Sequence, residues 1–313
     1  MKIAVPDLIS NSYFPAVAAV ELGILKDEGV AAEVELIFPV DRAYAALRSG
    51  AVDFVAGSAH SALSAFPEWK GIKLLCAQGQ GMYWFLVMRR DLKPKRNDLS
   101  IVKGRRIGAA PWVDLGLKRL LVAAGIDVVR DEVQIGPVPG LVGTTVNFGL
   151  TAAYALEEGL IDGFWANGMG AETAIRCGAG SIVLDVRRGD GPPGCFNYTM
   201  ASLATTERNI AKDTRLAEAT VRAIVRTHAI LKRDPNKASE VGAKLFPKSE
   251  ATLIAELIRR DAPYYDASIS QAAVREMNAF CRDIGILAGD PSYGDVVATG
   301  LQPLWLEGCS ALR

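Results

Sequence analysis

The chain has 313 residues, half of them apolar, with 35 basic and 35 acidic side chains and no formal net charge. That composition builds two ordinary domains with real cores and excludes a disordered chain. The charge balance leaves no electrostatic footprint for nucleic acid or acidic lipid, so the basic clusters at 89–96 and 103–106 read as solvated loops.

Five cysteines at 76, 177, 195, 281 and 309 show no paired spacing, and there are only two histidines. Both facts argue against a disulfide framework and against a metal site, and no cofactor is expected. Met1-Lys2 runs straight into an apolar strand, with no secretory leader before it. The apolar run from Phe14 to Leu25 is broken by Glu21 and Gly23 and is too short to span a membrane. Either Met1 starts a cytoplasmic protein or a leader has been left out.

Strand and helix patterns alternate from the beginning, which predicts an α/β fold with largely parallel strands. Ile3 to Val5 reads as a strand, then a helix from Tyr13 to Leu25 with Ser12 as its N-cap. Val34 to Phe38 is a second strand, and Asp41 caps a helix that stops near Gly50. Val52 to Ala56 is a third strand, with Ser58 to Phe66 helical until Pro67. Further strands are expected at Ile72 to Ala77 and Tyr83 to Met88. The charged, aperiodic run from Arg89 to Ser100 marks a domain crossing.

A second α/β unit opens with a strand at Arg106 to Ala109 and a helix from Pro111-Trp112 to Ala124. A strand at Val133 to Ile135, a glycine-rich loop at 136–143, and a helix from Phe148 to Glu158 follow. Then come a strand at Ile161 to Trp165, a helix over Thr173 to Arg176, and a strand at Ile182 to Val186. Tyr198 to Ala204 alternates like a strand returning to the first unit. From Thr206 onward the spacing is helical throughout. The domain expectation is therefore 1–88 with 204–313 as one lobe and 89–203 as the other.

The two units echo each other. Setting Leu47 on Leu156 aligns Gly50 with Gly159 and Asp53 with Asp162, and places Gly57-Ser58 against Ala166-Asn167. Open parallel sheets bind ligands beyond the carboxyl ends of their strands, where N–H groups and helix N-termini point outward. That rule selects Asp7 to Phe14, Gly57 to His60, Gln78 to Trp84, Ala109 to Val113 and Trp165 to Gly168, with Pro139 to Thr145 a weaker sixth stretch.

From these, the expected ligand-binding residues are Asn11, Tyr13, Phe14, Ser58, His60, Gln80, Trp84, Trp112, Trp165 and Asn167. They offer aromatic faces and neutral hydrogen-bonding groups, and no arginine or lysine lies among them. The expected ligand is therefore small, aromatic or heterocyclic, with at most one carboxylate-like group. Turn and cap roles fit Asn11 and Ser58 equally well, and core packing fits the tryptophans. His60 at a helix start reads as a structural residue or an acid–base group, and His228 as structural. There is no GxSxG, P-loop, HExxH or GxGxxG-helix motif, and no residue is expected to be catalytic.

Tyr13-Phe-Pro15 before a helix ending Glu21-Leu-Gly-Ile24, Ala46-Leu-Arg-Ser-Gly-Ala-Val-Asp53, Lys103-Gly104 through Gly108, and Glu158-Gly-Leu-Ile-Asp162 together carry a family likeness. In their order and spacing the chain resembles the ABC-transporter substrate-binding proteins of the nitrate/sulfonate/taurine type. That group includes the pyrimidine-precursor-binding, NMT1/Thi5-like members. The resemblance implies a two-lobed periplasmic-binding-protein type II fold, each lobe a mostly parallel sheet flanked by helices, with the helical tail on lobe one. It further implies a periplasmic protein whose lobes close on a small molecule and deliver it to an ABC permease; a monomer is expected.

The chain departs from the anion-binding pattern at Ala110, Pro111, Trp112 and Val113, which puts a sulfonate or nitrate ligand in doubt. Enzymes also use this fold. Yeast-type pyrimidine synthases carry a cysteine-rich motif, and sulfinate-cleaving relatives use a cysteine nucleophile near the first helix. Positions 7–14 hold no cysteine, so neither chemistry carries over. The alternative is a cytoplasmic enzyme of decarboxylase or hydrolase type, with His60 as acid or base.

Overall fold

The computed structural model describes residues 1–139 and 147–306. The chain divides into two compact units, Met1–Gln80 together with everything from Thr199 onward, and Gly81–Tyr198. The first unit opens with β1 (Lys2–Val5), α1 (Phe14–Glu21), α2 (Ile24–Asp27) and β2 (Glu33–Leu36). It continues with α3 (Val40–Ser49), β3 (Phe54–Ser58), a 3₁₀ turn over Ala59–Ser64, and β4 (Ile72–Gly79). The second contains β5 (Phe85–Arg89), β6 (Arg106–Ala109), α4 (Val113–Ala123), β7 (Gln134–Gly136) and α5 (Phe148–Glu157). It closes with β8 (Gly163–Ala166), α6 (Gly168–Arg176) and β9 (Gly180–Asp185).

The chain then returns to the first unit through β10 (Ala201–Thr206). The tail is α7 (Glu207–Lys212), α8 (Thr214–Arg233), α9 (Lys237–Leu245), α10 (Lys248–Asp261), α11 (Gln271–Asp283) and α12 (Tyr293–Val296). The amphipathic α8 buries Val221, Ile224 and Leu231 and packs on β4, α1 and α2, so the tail completes the first unit's core.

Each unit holds one five-stranded sheet, ordered β2-β1-β3-β10-β4 and β7-β6-β8-β5-β9. In the first, β1 runs parallel to β2 and β3, and β10 runs antiparallel to both β3 and β4. In the second, β6 runs parallel to β7 and β8, and β5 runs antiparallel to both β8 and β9. The sheets are thus mostly parallel and share one order. In each, the antiparallel strand is the segment arriving from the other half of the chain. This pairing sets the unit boundaries at 80/81 and 198/199, where the sequence pattern placed them at 88/89 and 203/204. An apolar strand such as Phe85–Arg89 does not declare which sheet it will join.

The Gly–Asp echo has a physical cause. Gly50 and Gly159 both adopt left-handed backbone (φ 83° and 73°), following the helices that precede β3 and β8. Their N–H groups donate to Leu47 O and Leu156 O, both at 3.1 Å. Three residues on, the Asp53 carboxylate accepts the Lys2 N–H at 2.7 Å and the Asp162 carboxylate accepts the Arg106 N–H at 2.9 Å. Lys2 and Arg106 are the first residues of β1 and β6, so each aspartate ties the start of one strand to the approach of its neighbour. The echo is a device of the fold, at the amino ends of the strands.

Two local expectations change. The helix expected over 13–25 splits, because Gly23 turns left-handed (φ 75°) between α1 and α2. Its N-terminus is not capped by Ser12; the Gln78 carboxamide oxygen, on β4, takes the Ala16 N–H at 3.1 Å. The helix expected after Ser58 is the 3₁₀ turn alone.

Candidate functional site

At its carboxyl edge, the first sheet runs into loops dense with buried polar residues. After β1, the Asp7 carboxylate accepts the Ile9 N–H at 2.9 Å and folds the loop back on itself. Asn11 follows, fully buried. Its carboxamide Nδ2 donates to the Asp261 carboxylate, and its carbonyl oxygen accepts the Tyr265 hydroxyl at 2.6 Å. Both partners come from the helical tail. The remaining polar atom of the side chain, Oδ1, has no hydrogen-bond partner in the chain, and neither has the hydroxyl of the adjacent, equally buried Ser12. A buried polar group left unpaired costs on the order of 1–3 kcal/mol.

The other predicted residues of this unit make contacts within the fold. Tyr13 is buried at the start of α1, and Phe14 packs edge-on against Phe246 at 6.1 Å in the core. Ser58 ends β3 with its hydroxyl 2.6 Å from that of Ser61, while its carbonyl accepts the Tyr44 hydroxyl. Fully buried His60 places Nδ1 2.9 Å from Thr199 Oγ1 and lies edge-on to Phe280 at 5.5 Å. Half-buried Gln80 donates from Nε2 to the carbonyls of Asp266 and Ser268 at 2.9 and 2.7 Å, pinning the tail to the end of β4.

In the second unit the carboxyl edge is aromatic. Tyr83 and Trp84 enter β5 from this edge because β5 runs antiparallel, and Trp165 leaves β8 beside them. Ring centroids are 4.9 Å apart for Tyr83–Trp84 and 6.0 Å for Trp84–Trp165. α4 can pack against this ladder because Gly116 has no side chain: a Cβ there would lie 3.3 Å from the Trp84 ring. Trp165 is fully buried, and its indole N–H has no hydrogen-bond partner. Asn167 is the N-cap of α6, its side-chain oxygen accepting the N–H groups of Met169 and Gly170 at 3.0 and 3.2 Å. Trp112, half-buried, sits just before α4 with φ 69° and ψ −33°, a conformation that a bulky residue rarely holds.

Sequence reasoning missed one cation. Arg187, directly after β9, is buried and lies over the Tyr83 ring at 5.4 Å. The selected stretches hold no arginine, but the strand end at β9, outside them, does. Applying the strand-end rule to Ile182–Val186 would have found it. Asp261, Tyr265 and Thr199 carried no local signal, being brought to the loops by the tail and the return strand. The loop at 139–145 lies outside the described residues from 140 on.

The described cysteines are poor nucleophiles where they are buried. Burial pushes the Cys76 and Cys281 thiols well above the usual range and Cys195 up to about 11. No group of acids, histidines and cysteines suited to a metal occurs among the described residues, and none of their helices is long and apolar enough to cross a membrane.

No protein-family model and no curated protein matches this chain. Solved structures match along its whole length. The periplasmic nitrate-binding protein NrtA from Synechocystis PCC 6803 is 12% identical with a TM-score of 0.76, over 100% of this chain and 88% of its own. The periplasmic sulfonate-binding protein SsuA from Methylobacillus flagellatus KT is 18% identical with a TM-score of 0.66, over 99% and 94%. The desulfurization enzyme DszB is 14% identical with a TM-score of 0.66, over 100% and 99%. The chain thus has the fold of the periplasmic binding proteins, the type II architecture of two α/β units that the motif likeness implied. That architecture serves solute binding in two of these proteins and an enzyme in the third.

Proposed function

We propose that this protein is the solute-binding component of an ABC import system, taking up a small organic molecule outside the cytoplasmic membrane and handing it to a permease. The observation that carries the reading is the placing of three of the unpartnered buried polar atoms. Asn11 Oδ1, Ser12 Oγ and Trp165 Nε1 all lie at the carboxyl edge of a sheet, where this class of fold takes ligands. The aromatic ladder supports an aromatic or heterocyclic ligand, and Arg187 over Tyr83 supports a carboxylate or similar group on it. The shared fold with nitrate- and sulfonate-binding proteins supports the transport role.

A ligand that binds only the folded state stabilises it by about 2.7 kcal/mol at a hundred times its dissociation constant. Native mass spectrometry of the purified protein, followed by a thermal-shift screen of ligand-free material with aromatic acids and heterocycles, tests the reading. A clear shift with one compound class is expected. No shift across the screen, in protein shown to be free of ligand, overturns it.

The His60–Thr199 pair favours a second reading, an enzyme on the same scaffold. It expects the bound compound to be consumed, and His60→Ala to keep binding while losing turnover. Recovery of the compound unchanged after long incubation refutes it.

A further inference from the structure

Asn11 is held in one orientation. Arg260 Nε lies 3.1 Å from Asp261 Oδ1, while the Asn11 amide nitrogen donates to Asp261 Oδ2. Exchanging the amide's oxygen and nitrogen would turn a carbonyl toward a carboxylate, oxygen against oxygen, so the geometry settles which atom is which. The Tyr265 hydroxyl meanwhile occupies the backbone carbonyl. What is left over is an acceptor, Asn11 Oδ1, fully buried and unpartnered at the end of β1, with the unpartnered Ser12 hydroxyl next in the chain. An acceptor is satisfied only by a donor.

We propose that the ligand carries an N–H or O–H donor that Asn11 Oδ1 accepts, with the Ser12 hydroxyl as a second contact. The site then selects amino-, amide- or imide-bearing molecules over simple anions that have acceptors alone. This rests on the solute-binding reading and adds the chemistry of one subsite. Discrimination follows from burial: a ligand lacking the donor leaves Asn11 Oδ1 unpaired, a strong rejection in sites built to hydrogen-bond their substrate. A ligand with the donor removes a defect that the free protein carries.

The test uses matched probes in isothermal titration: benzamide against N,N-dimethylbenzamide, para-aminobenzoate against its N,N-dimethyl form, and thymine against its N,N-dimethyl form. Wild type, Asn11→Ala and Ser12→Ala are compared. At least one donor-bearing member should bind wild type, and its methylated partner should bind at least about tenfold more weakly. Asn11→Ala should lose that discrimination, binding both members of the pair alike, so the two changes are not additive.

Ser12→Ala breaks no hydrogen bond. It should leave the melting temperature unchanged or higher while weakening the donor-bearing probe about threefold or more, a combination that a merely structural role does not produce. Equal binding of both members of a pair by wild type, or undiminished discrimination by Asn11→Ala, overturns the donor subsite and leaves solute binding standing. Failure of every donor-bearing probe to bind overturns both.

Discussion

Asp162 offers the most direct check on how the second unit is held together. Its carboxylate accepts the Arg106 backbone N–H at 2.9 Å and the Arg106 guanidinium at 3.2 Å, with the Arg89 guanidinium 3.8 Å away. Burial by itself would raise its carboxyl. The Arg106 side-chain hydrogen bond, then the backbone one and the neighbouring arginine charges, outweigh burial and hold it below the usual carboxylate range. Hydrogen bonds to a charged group contribute about 1.5–3 kcal/mol each. Part of that is recovered from water at the guanidinium, so Asp162→Ala should cost about 2–4 kcal/mol.

Asp53→Ala removes the single equivalent bond to Lys2 at a half-buried site and should cost about 1 kcal/mol. Urea denaturation gives the magnitudes, and hydrogen exchange over residues 2–5 and 106–109 shows which strand start opens. A folded-state value below the unfolded one means stability present above the unfolded pKa and lost as pH falls through the folded one, so Asp162→Asn should flatten the wild-type loss below about pH 4. A cost for Asp162→Ala within about 0.5 kcal/mol of zero, or opening at residues 2–5 and not 106–109, would refute the account.

Other consequences are as direct. A Cβ at Gly170 would come within 2.5 Å of the Gly149 backbone, so Gly170→Ala should force α5 and α6 apart and cost about 1–3 kcal/mol in urea denaturation. Burial lowers the His228 imidazole to about 4, against the opposing hydrogen bond to the Gln78 carbonyl, so His228 is neutral in the folded protein. With the unfolded value near 6.5, stability should fall as pH drops from about 6.5 toward 4, by as much as about 3 kcal/mol, and His228→Phe should lose that slope in a pH series of denaturation curves. Iodoacetamide should alkylate exposed Cys177 in the native protein and spare Cys76 and Cys281, read by peptide mass mapping.

What the amino-acid pattern reveals is local. The order of strands and helices is legible because short strands read as apolar runs beside glycine, as at Val133–Ile135 and Ile182–Val186, and because α8 repeats at helical spacing. What it hides is pairing between distant segments. Phe85–Arg89 reads as another strand of the first unit until its hydrogen bonds to β8 and β9 are seen. Asn11 is marked by the strand-end rule, but its partners, Asp261 and Tyr265, lie in the tail. The same rule marks Gln80, Ser58 and Asn167 without showing that their side chains hydrogen-bond to the tail, to Ser61 and to α6. It undervalues Arg187, a residue type that looks solvated until it is found buried against Tyr83.

The two units supply each other's control. Where both use the same residue at the same place, as with Gly50 and Gly159 or Asp53 and Asp162, the common hydrogen bonds account for it as scaffolding. After β1 and β6 the units differ: β1 runs into Asp7–Ser12 with two unpartnered polar atoms, Asn11 Oδ1 and Ser12 Oγ, while β6 runs into Ala110-Pro111-Trp112 with a strained tryptophan. After β3 and β8, Ser58 opens a 3₁₀ turn and Asn167 caps α6, both hydrogen-bonded within the chain, while Trp165 beside Asn167 keeps a bare indole N–H. One edge lacks a donor for its acceptor, and the other lacks an acceptor for its donor. At the first unit's edge the deficit is met by a molecule with an N–H or O–H group and not by a small anion that has acceptors alone.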